Sequence, residues 1–490
     1  MSGAPLDRAA VVGVIGAGTM GAGIAQVAAA GGHRVLLFDA QAGAAARGRN
    51  NVEKGLSALV SRGRMTQADA DALVARIEPV DALEAFAPAR LVIEAIVEDL
   101  QVKRDLVAKV EAVVAADAIF ATNTSSISIT AIARDAARPD RIAGLHFFNP
   151  APVMKLVEIV SGVATGRDVA DCLFATAGQW GKVAVHARST PGFIVNRVAR
   201  PFYAEALRLY EEQVASPATL DALLTQGAGF RMGPFALMDL IGHDVNYAVS
   251  CSVFDAYYQD PRFRPSIVQK ELVDAGRLGR KTNRGFYDYA ADAVQPLPDT
   301  NAADPASVPF DGWSPDAPFL STDLRIQLTD GRTARELARD GTSTIVHDLL
   351  PDGATRIGFA ASPGVTSATI DRFVTTLAAR GVVATRLPDW PGLVAMRTIA
   401  MLANEGFEAV MQGVASEGDV DAAMRHGVNY PRGPIGWARA IGLHRIVEVL
   451  DMLRSMTGDP RYRASLGLRM AATAGSDSND TDRPVLLAVE

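Results

Sequence analysis

Short apolar runs rich in β-branched residues recur early in the chain, at residues 11–15, 35–38, 91–95, 119–122, 142–146 and 155–159. Segments of helical periodicity separate them, and this alternation predicts a doubly wound parallel sheet. From residue 190 to about 274 the strand pattern stops and long amphipathic segments take over, notably 193–213 and 217–226. A helical domain is therefore expected after the sheet, with the boundary near Ser189.

Residues 290–321 are rich in Ala, Asp and Pro, which is linker chemistry. A second half begins after them. Displacing the chain on itself by 200 positions, without a gap from 171 to 242, sets Asp171 on Asp371, Gly181 on Gly381, and Pro191, Gly192 and Arg197 on Pro391, Gly392 and Arg397. In the same register Glu205, Val214, Ala215, Ser216, Asp221, Ala222 and Gly227 recur as Glu405, Val414, Ala415, Ser416, Asp421, Ala422 and Gly427, and Gly233-Pro234 as Gly433-Pro434. Chance identity does not cluster in this way, so the helical domain is duplicated. Residues 324–387, ahead of the second copy, carry strand and helix patterns without a glycine loop, as a shortened, cofactor-free remnant of an α/β layer would.

Composition narrows the class. The 490 residues are 49% hydrophobic and 21% charged, with 43 Gly and 26 Pro, an ordinary globular mixture that excludes collagen-like and wholly disordered chains. A net charge of −7, from 48 Lys+Arg against 55 Asp+Glu, offers no broad positive field for nucleic acid. Cys172 and Cys251 are too few for a disulfide framework and lack metal-ligand spacing; no metal is expected, and a reducing, cytoplasmic setting is. Met1 to Ala10 holds no apolar core of a secretory signal, and the apolar stretch 11–32 is broken by glycines, so neither export nor membrane insertion is expected.

Candidate chemistry begins where the first strand runs into Gly16-Ala17-Gly18-Thr19-Met20-Gly21 and then an Ala-rich helix. That is GxGxxG in the strand and helix context a dinucleotide needs: Gly16 for the turn, Gly18 for approach of a pyrophosphate, Gly21 for helix–strand packing. A glycine-rich packing turn is the plainer alternative. Asp39 lies 18 residues past Gly21, where a carboxylate binds a ribose 2′-hydroxyl and repels a 2′-phosphate, or where it simply caps a strand end. In 142–160, His146 closes one strand and Glu158 sits on the returning one, so the turn between them can pair an imidazole with a carboxylate. A strand-end histidine also serves purely structural roles. Ser125, in the Asn123-Thr124-Ser125-Ser126 stretch, is placed at the carboxyl edge either to bond a substrate oxygen or to cap a helix. Asn196 is a polar group in an apolar helical turn, for a ligand or for a buried backbone group.

These motifs, with EAIVEDLQVK at 94–103, HFFNP at 146–150, PGFIVNR at 191–197 and GRKTNRGFYDY at 279–289, resemble the 3-hydroxyacyl-CoA dehydrogenases in the family's own order from Val11 to Tyr289. The second half resembles the longer bacterial members with a duplicated C-terminal domain, including those of phenylacetate degradation. The resemblance implies α/β plus all-α architecture: a Rossmann-type NAD-binding domain over 8–189, a first helical copy over 190–289, a linker over 290–320, a small degenerate α/β segment over 321–389 and a second helical copy over 390–475.

It also implies oxidation of a (3S)-hydroxyacyl-CoA to the 3-oxoacyl-CoA with hydride transfer to NAD. His146 would be the base and Glu158 its partner, Ser125 and Asn196 would hold substrate oxygens, and Glu98, Lys103, Ser125, Asn149 and Lys281 would line the NAD site beside the glycine loop and Asp39. Two positions depart from the family pattern: Gly55 and Arg62 stand where a serine and a lysine often contact CoA, leaving Arg62 to meet a phosphate, and Asn283 replaces a turn glycine. Asn196 becomes Met396 in the second copy, so one active centre per chain is expected, within either a monomer that imitates a dimer internally or a homodimer. The substrate reads as 3-hydroxybutyryl-CoA or 3-hydroxyadipyl-CoA. An idle NAD-binding relative and a dehydrogenase of free hydroxy acids are the alternatives.

Overall fold

The computed structural model describes residues 3–474, so the last predicted residue of the second copy, 475, and the first two of the chain lie outside it. Two compact units result. Among the described residues the first comprises 3–195 with Gly413–Val428, and the second Asn196–Gln412 with 429–474.

The first unit is built on eight strands: β1 Val11–Ile15, β2 Val35–Phe38, β3 Ile77–Pro79, β4 Ala89–Glu94, β5 Ile119–Thr122, β6 Ile142–Phe147, β7 Leu156–Ser161 and β8 Val183–Arg188. They lie in the order β3-β2-β1-β4-β5-β6-β7-β8, with the strand order reversing at β1 and β4. The sheet is parallel except that β6 and β7 run antiparallel, as the returning strand implied, in a register that sets His146 opposite Glu158. Only a short loop joins these two strands, and a short loop turns the chain back, whereas a parallel pairing needs a long crossover. Pattern reading missed β3 and β8. Both are sheet edges, one ending in Pro79 and the other half-exposed, so neither shows the apolar run of a central strand. Helix Glu417–Gly427, from the second helical copy, covers β7 and β8. There is no space for a side chain at Gly427, where a Cβ would stand 2.6 Å from Leu156 Cδ2.

The second unit contains most of both helical copies and a five-stranded sheet: β9 Phe319–Leu320, β10 Leu324–Leu328, β11 Ser343–His347, β12 Arg356–Ala361 and β13 Val383–Arg386. Its β10-β11-β12-β13 pairings repeat the parallel, antiparallel, parallel sequence of β5 to β8. The remnant thus keeps the carboxyl half of an α/β layer and lacks the half that holds a glycine loop. The first copy's segment up to Gly227 lies on β12, with Thr355 N donating to Gln226 O at 2.9 Å. Each sheet therefore receives this element from the helical copy that does not follow it in sequence.

Two helices differ from their predicted extents. The segment 193–213 is broken into Val195–Val198 and Arg200–Glu211, because Pro201 lacks the amide to continue the ladder. Pro217–Ala222 gives way to a π-helical turn at Leu223–Gly227. The Ala/Asp/Pro-rich stretch is no free tether either. Phe310 and Trp313 anchor it in the core of the second sheet, with Phe310 N bonded to Thr376 Oγ1 at 2.8 Å.

Candidate active site

Strand β1 delivers the glycine loop to the reversal point of the first sheet. Gly16 has φ +95°, and a Cβ there would sit 2.5 Å from Ala95 O, so the turn requires glycine. A Cβ at Gly21 would be 1.7 Å from Gly16 O, which makes it the contact between helix Thr19–Ala30 and the strand. Gly18 is different. A Cβ there meets no atom within 4 Å, so its face is open to a ligand. As N-cap, Gly18 carries no side-chain cap and no acid follows in the first turn, so the amides of Thr19 and Met20 and the positive end of the helix dipole face an anion unopposed. Asp39 Oδ2 accepts from Ala17 N at 2.7 Å and Oδ1 from Gln41 N at 2.9 Å, which pins the carboxylate to the loop at the end of β2. These residues fit a dinucleotide pyrophosphate and ribose.

At the carboxyl ends of β4 and β5 a carboxylate network shapes the neighbouring loop. Glu98 Oε1 accepts from Thr124 Oγ1 at 2.6 Å, Ser126 Oγ at 2.8 Å and the amides of Ser125 and Ser126 at 3.2 Å. Burial pushes this carboxyl up, but the Thr124 bond, the Lys103 charge and the bonds from Ser126 and Ser125 outweigh it, leaving it below the ordinary glutamate value. Lys103, read from sequence as a cation of the cofactor site, is almost wholly buried. Its Nζ bonds Glu94 at 2.8 and 2.9 Å and lies 3.4 Å from Glu98. Glu94, which also accepts a very short bond from Thr122, escaped sequence reading. An acid closing an otherwise apolar strand was its available signal.

His146 and Glu158 face each other across β6 and β7. The His146 Nδ1 to Glu158 Oε2 distance is 2.6 Å, and His146 Nε2 stands 2.9 Å from Ser125 Oγ. Glu158 Oε1 accepts from the amides of Ile194 and Val195 at 3.1 and 3.0 Å, so both its oxygens act as acceptors, as an ionised carboxylate's do. Nδ1–H therefore points at Glu158, and Nε2 faces Ser125 Oγ. Phe148 and Phe193 pack against the imidazole, their ring centroids 4.6 and 5.7 Å from its own. Asn123 Oδ1 accepts from Phe147 N at 2.8 Å and ties the serine-bearing loop to β6.

Of the remaining sequence-derived residues, Asn149 is exposed just past β6 and Arg62 is exposed at the end of helix Ala44–Ser61. Asn196 opens the second unit, directly after Val195, and is half-buried. Lys281 belongs to the second unit too, where its Nζ pairs with Asp244 Oδ2 at 2.6 Å. Asn283 takes φ +55°, the left-handed turn its replacement of glycine demanded. The second layer does not reproduce the pair. His347 is wholly buried and, among the described residues, bonds the carbonyl of Asp348, whose carboxylate caps Val394, Ala395 and Met396 much as Glu158 caps Ile194 and Val195.

A glycine-loop α/β layer with a histidine–carboxylate pair at its carboxyl edge defines a nicotinamide-dependent dehydrogenase. Residues 11–190 match the 3-hydroxyacyl-CoA dehydrogenase NAD binding domain, 192–289 and 392–486 the C-terminal domain of that enzyme, and 326–391 the 3-hydroxybutyryl-CoA dehydrogenase reduced Rossmann-fold domain. The chain is 47% identical over 462 residues to 3-hydroxyadipyl-CoA dehydrogenase of Escherichia coli K12, spanning 94% of this chain and 97% of that one. It is 40% identical over 276 residues to 3-hydroxybutyryl-CoA dehydrogenase of Clostridioides difficile, spanning 56% of this chain and 98% of the relative. A crystal structure of 3-hydroxybutyryl-CoA dehydrogenase from E. coli K12 superposes with a TM-score of 0.92 at 45% identity, over 96% of this chain and 100% of that one. The chain belongs to the 3-hydroxyacyl-CoA dehydrogenase family. It is an NAD-dependent oxidoreductase that interconverts 3-hydroxyacyl-CoA and 3-oxoacyl-CoA thioesters.

Proposed function

We propose that His146 is the general base of this reaction, acting on short (3S)-hydroxyacyl-CoA thioesters of four to six carbons. The continuous chain from Ser125 Oγ through the imidazole to Glu158 carries the reading, at 2.9 and 2.6 Å. With Nδ1–H committed to Glu158, Nε2 is the atom that takes the proton of the 3-hydroxyl, and the carboxylate beside it stabilises the imidazolium that forms. Bound NAD supplies the hydride acceptor at the nicotinamide ring.

Ser125 holds the reacting oxygen next to Nε2, and Asn196 holds a second substrate oxygen. Arg62 meets a phosphate of CoA. The glycine loop, Asp39, Glu98, Lys103, Asn149 and Lys281 form the cofactor side, Lys103 by fixing Glu98. The relatives named for 3-hydroxyadipyl-CoA and 3-hydroxybutyryl-CoA support this acyl range. Two unpaired cysteines accord with a cytoplasmic enzyme. Among the described residues no helix is long and apolar enough to cross a membrane.

The test is oxidation of NADH by the purified protein with acetoacetyl-CoA, beside NADPH and free acetoacetate. Turnover with NADH and the thioester alone supports the proposal, and turnover of the free acid overturns the thioester requirement. His146→Gln should lower kcat by about 10² to 10⁴. Unchanged turnover removes His146 from its role.

A further inference from the structure

The connection between β6 and β7, residues 148–155, carries Asn149 near its start and runs on into the strand that bears Glu158. Much of it lies in solvent: Asn149, Pro150, Pro152, Val153 and Lys155 are all exposed. Two anchors hold it. On one side Ala151, which is buried, and Pro152 pack on helix Thr19–Ala30 at Gly23, where an added Cβ would stand 3.1 Å from Pro152 Cδ and 3.3 Å from Ala151 Cβ. On the other side Lys182 Nζ donates to Ala151 O at 2.6 Å and to Met154 O at 2.8 Å.

Lys182 stands immediately before β8 and is half-buried. Among the described residues no carboxylate pairs with it, and burial pulls its pKa below the ordinary lysine value. A cation withdrawn from water with only carbonyl dipoles to answer it is costly, so a place held by packing alone would take an apolar residue. The second sheet has one there. Strand β13 begins as β8 does, Val383 N donating to Thr355 O at 2.8 Å as Val183 N donates to Lys155 O at 2.8 Å. The residue before it is Val382, 7% exposed and part of the apolar core. That layer has no glycine loop, and its connection, residues 348–355, carries no asparagine. Closing such a connection therefore does not require the lysine, which is present in the layer that has a glycine loop and absent from the layer that lacks one.

We propose that Lys182 is a positioning residue for the cofactor: by fixing the carbonyls of Ala151 and Met154 it sets the β6–β7 connection, and with it Asn149, against the helix that follows the glycine loop. This rests on the reading that Asn149 lines the NAD site. Two charge-assisted bonds to carbonyls three residues apart define the path of the loop where its exposed side chains do not. Lys182 acts through Asn149, not on the nicotinamide itself.

The experiment measures NADH affinity by fluorescence titration, and KM and kcat with acetoacetyl-CoA, for the full chain as wild type, Lys182→Met, Asn149→Ala and the double variant. Lys182→Met should weaken NADH binding and raise its KM about tenfold, with KM for the thioester little changed. Lys182→Arg, which keeps the charge and the donors, should recover most of the loss. In the Asn149→Ala background the same Lys182→Met substitution should add less than about twofold, because the residue it positions is gone. A purely structural lysine would instead lower the melting temperature and leave the NADH affinity of the folded protein as it was, which overturns the proposal. So does a loss of equal size in both backgrounds. If Lys182→Met fails to fold, Lys182→Gln takes its place in both backgrounds under the same criteria. An Asn149→Ala protein that binds NADH as the wild type does overturns the reading of Asn149 instead.

Discussion

Arg197 places its Nε 2.6 Å from Oε1 of Glu405, and the residues 200 positions on reciprocate, Arg397 Nε lying 2.8 Å from Oε2 of Glu205. A surface that contacts its own copy with i on j and j on i is the signature of a two-fold interface, here contained in one chain. The pairs are deeply buried, Arg197 at 0% and Glu405 at 3% exposure. Burial works against the Arg397 charge, yet Glu205, Tyr462 and Glu212 outweigh it and hold the guanidinium above the ordinary arginine value.

Removing one partner of such a pair leaves an uncompensated buried charge, at a cost of about 3–5 kcal/mol. Glu405→Gln should therefore lower stability strongly, since Arg262 also donates to Glu405 at 2.9 Å. Arg197→Met combined with Glu405→Leu should recover much of the loss, because an apolar pair of similar volume avoids the desolvation cost. Urea denaturation followed by circular dichroism measures both, and a Glu405→Gln protein as stable as the parent would show the pair contributes nothing.

The same reciprocity bears on oligomeric state. Where the second helical copy already occupies the self-complementary face, a second chain has no such face left to cover. Sedimentation equilibrium should give the mass of one chain, 51.7 kDa. A dimer dissociated by substitutions at Arg197 or Arg397 would refute the internal pairing.

The glycine loop separates folding from binding. At Gly21 an added methyl collides with Gly16 O, so Gly21→Ala should destabilise the first unit by roughly 1–3 kcal/mol. Gly18→Ala meets no protein atom and has an ordinary negative φ, so it should leave the melting temperature unchanged. Its methyl would instead stand where a pyrophosphate approaches, and NADH affinity, measured by fluorescence titration, should fall about tenfold or more. Equal affinity in Gly18→Ala would place the pyrophosphate elsewhere.

What the sequence made legible follows from how local each signal is. The glycine loop, Asp39 and the pairing of His146 with Glu158 were readable because one turn or one hairpin brings each set together. Glu94 and Lys103 meet between a strand end and the following helix, and their pairing inside the protein converts an expected binding cation into a buried strut. The edge strands β3 and β8 lack the apolar run that marks their neighbours. Most distant from local pattern is Glu417–Gly427, whose place on the first sheet depends on contacts more than 200 positions away.

His347 supplies the last prediction. Burial, reinforced by Arg445 and opposed by the bond to the Asp348 carbonyl, lowers its pKa from 6.5 to about 4, so the folded chain keeps this imidazole neutral. The unfolded chain takes up the proton below about pH 6.5. The stability this neutral ring represents is fully present above that pH and is lost as pH falls toward 4, by roughly 3 kcal/mol in all. His347→Phe, packed against Trp313 and Phe373 as the imidazole is, should flatten that acid limb relative to the parent in urea titrations at successive pH values. An unchanged limb would mean the ring reaches solvent and protonates in place. On the proposal that His146 is the base, a His347 buried against Trp313 and Phe373 and bonded to the Asp348 carbonyl adds no second base from the second sheet.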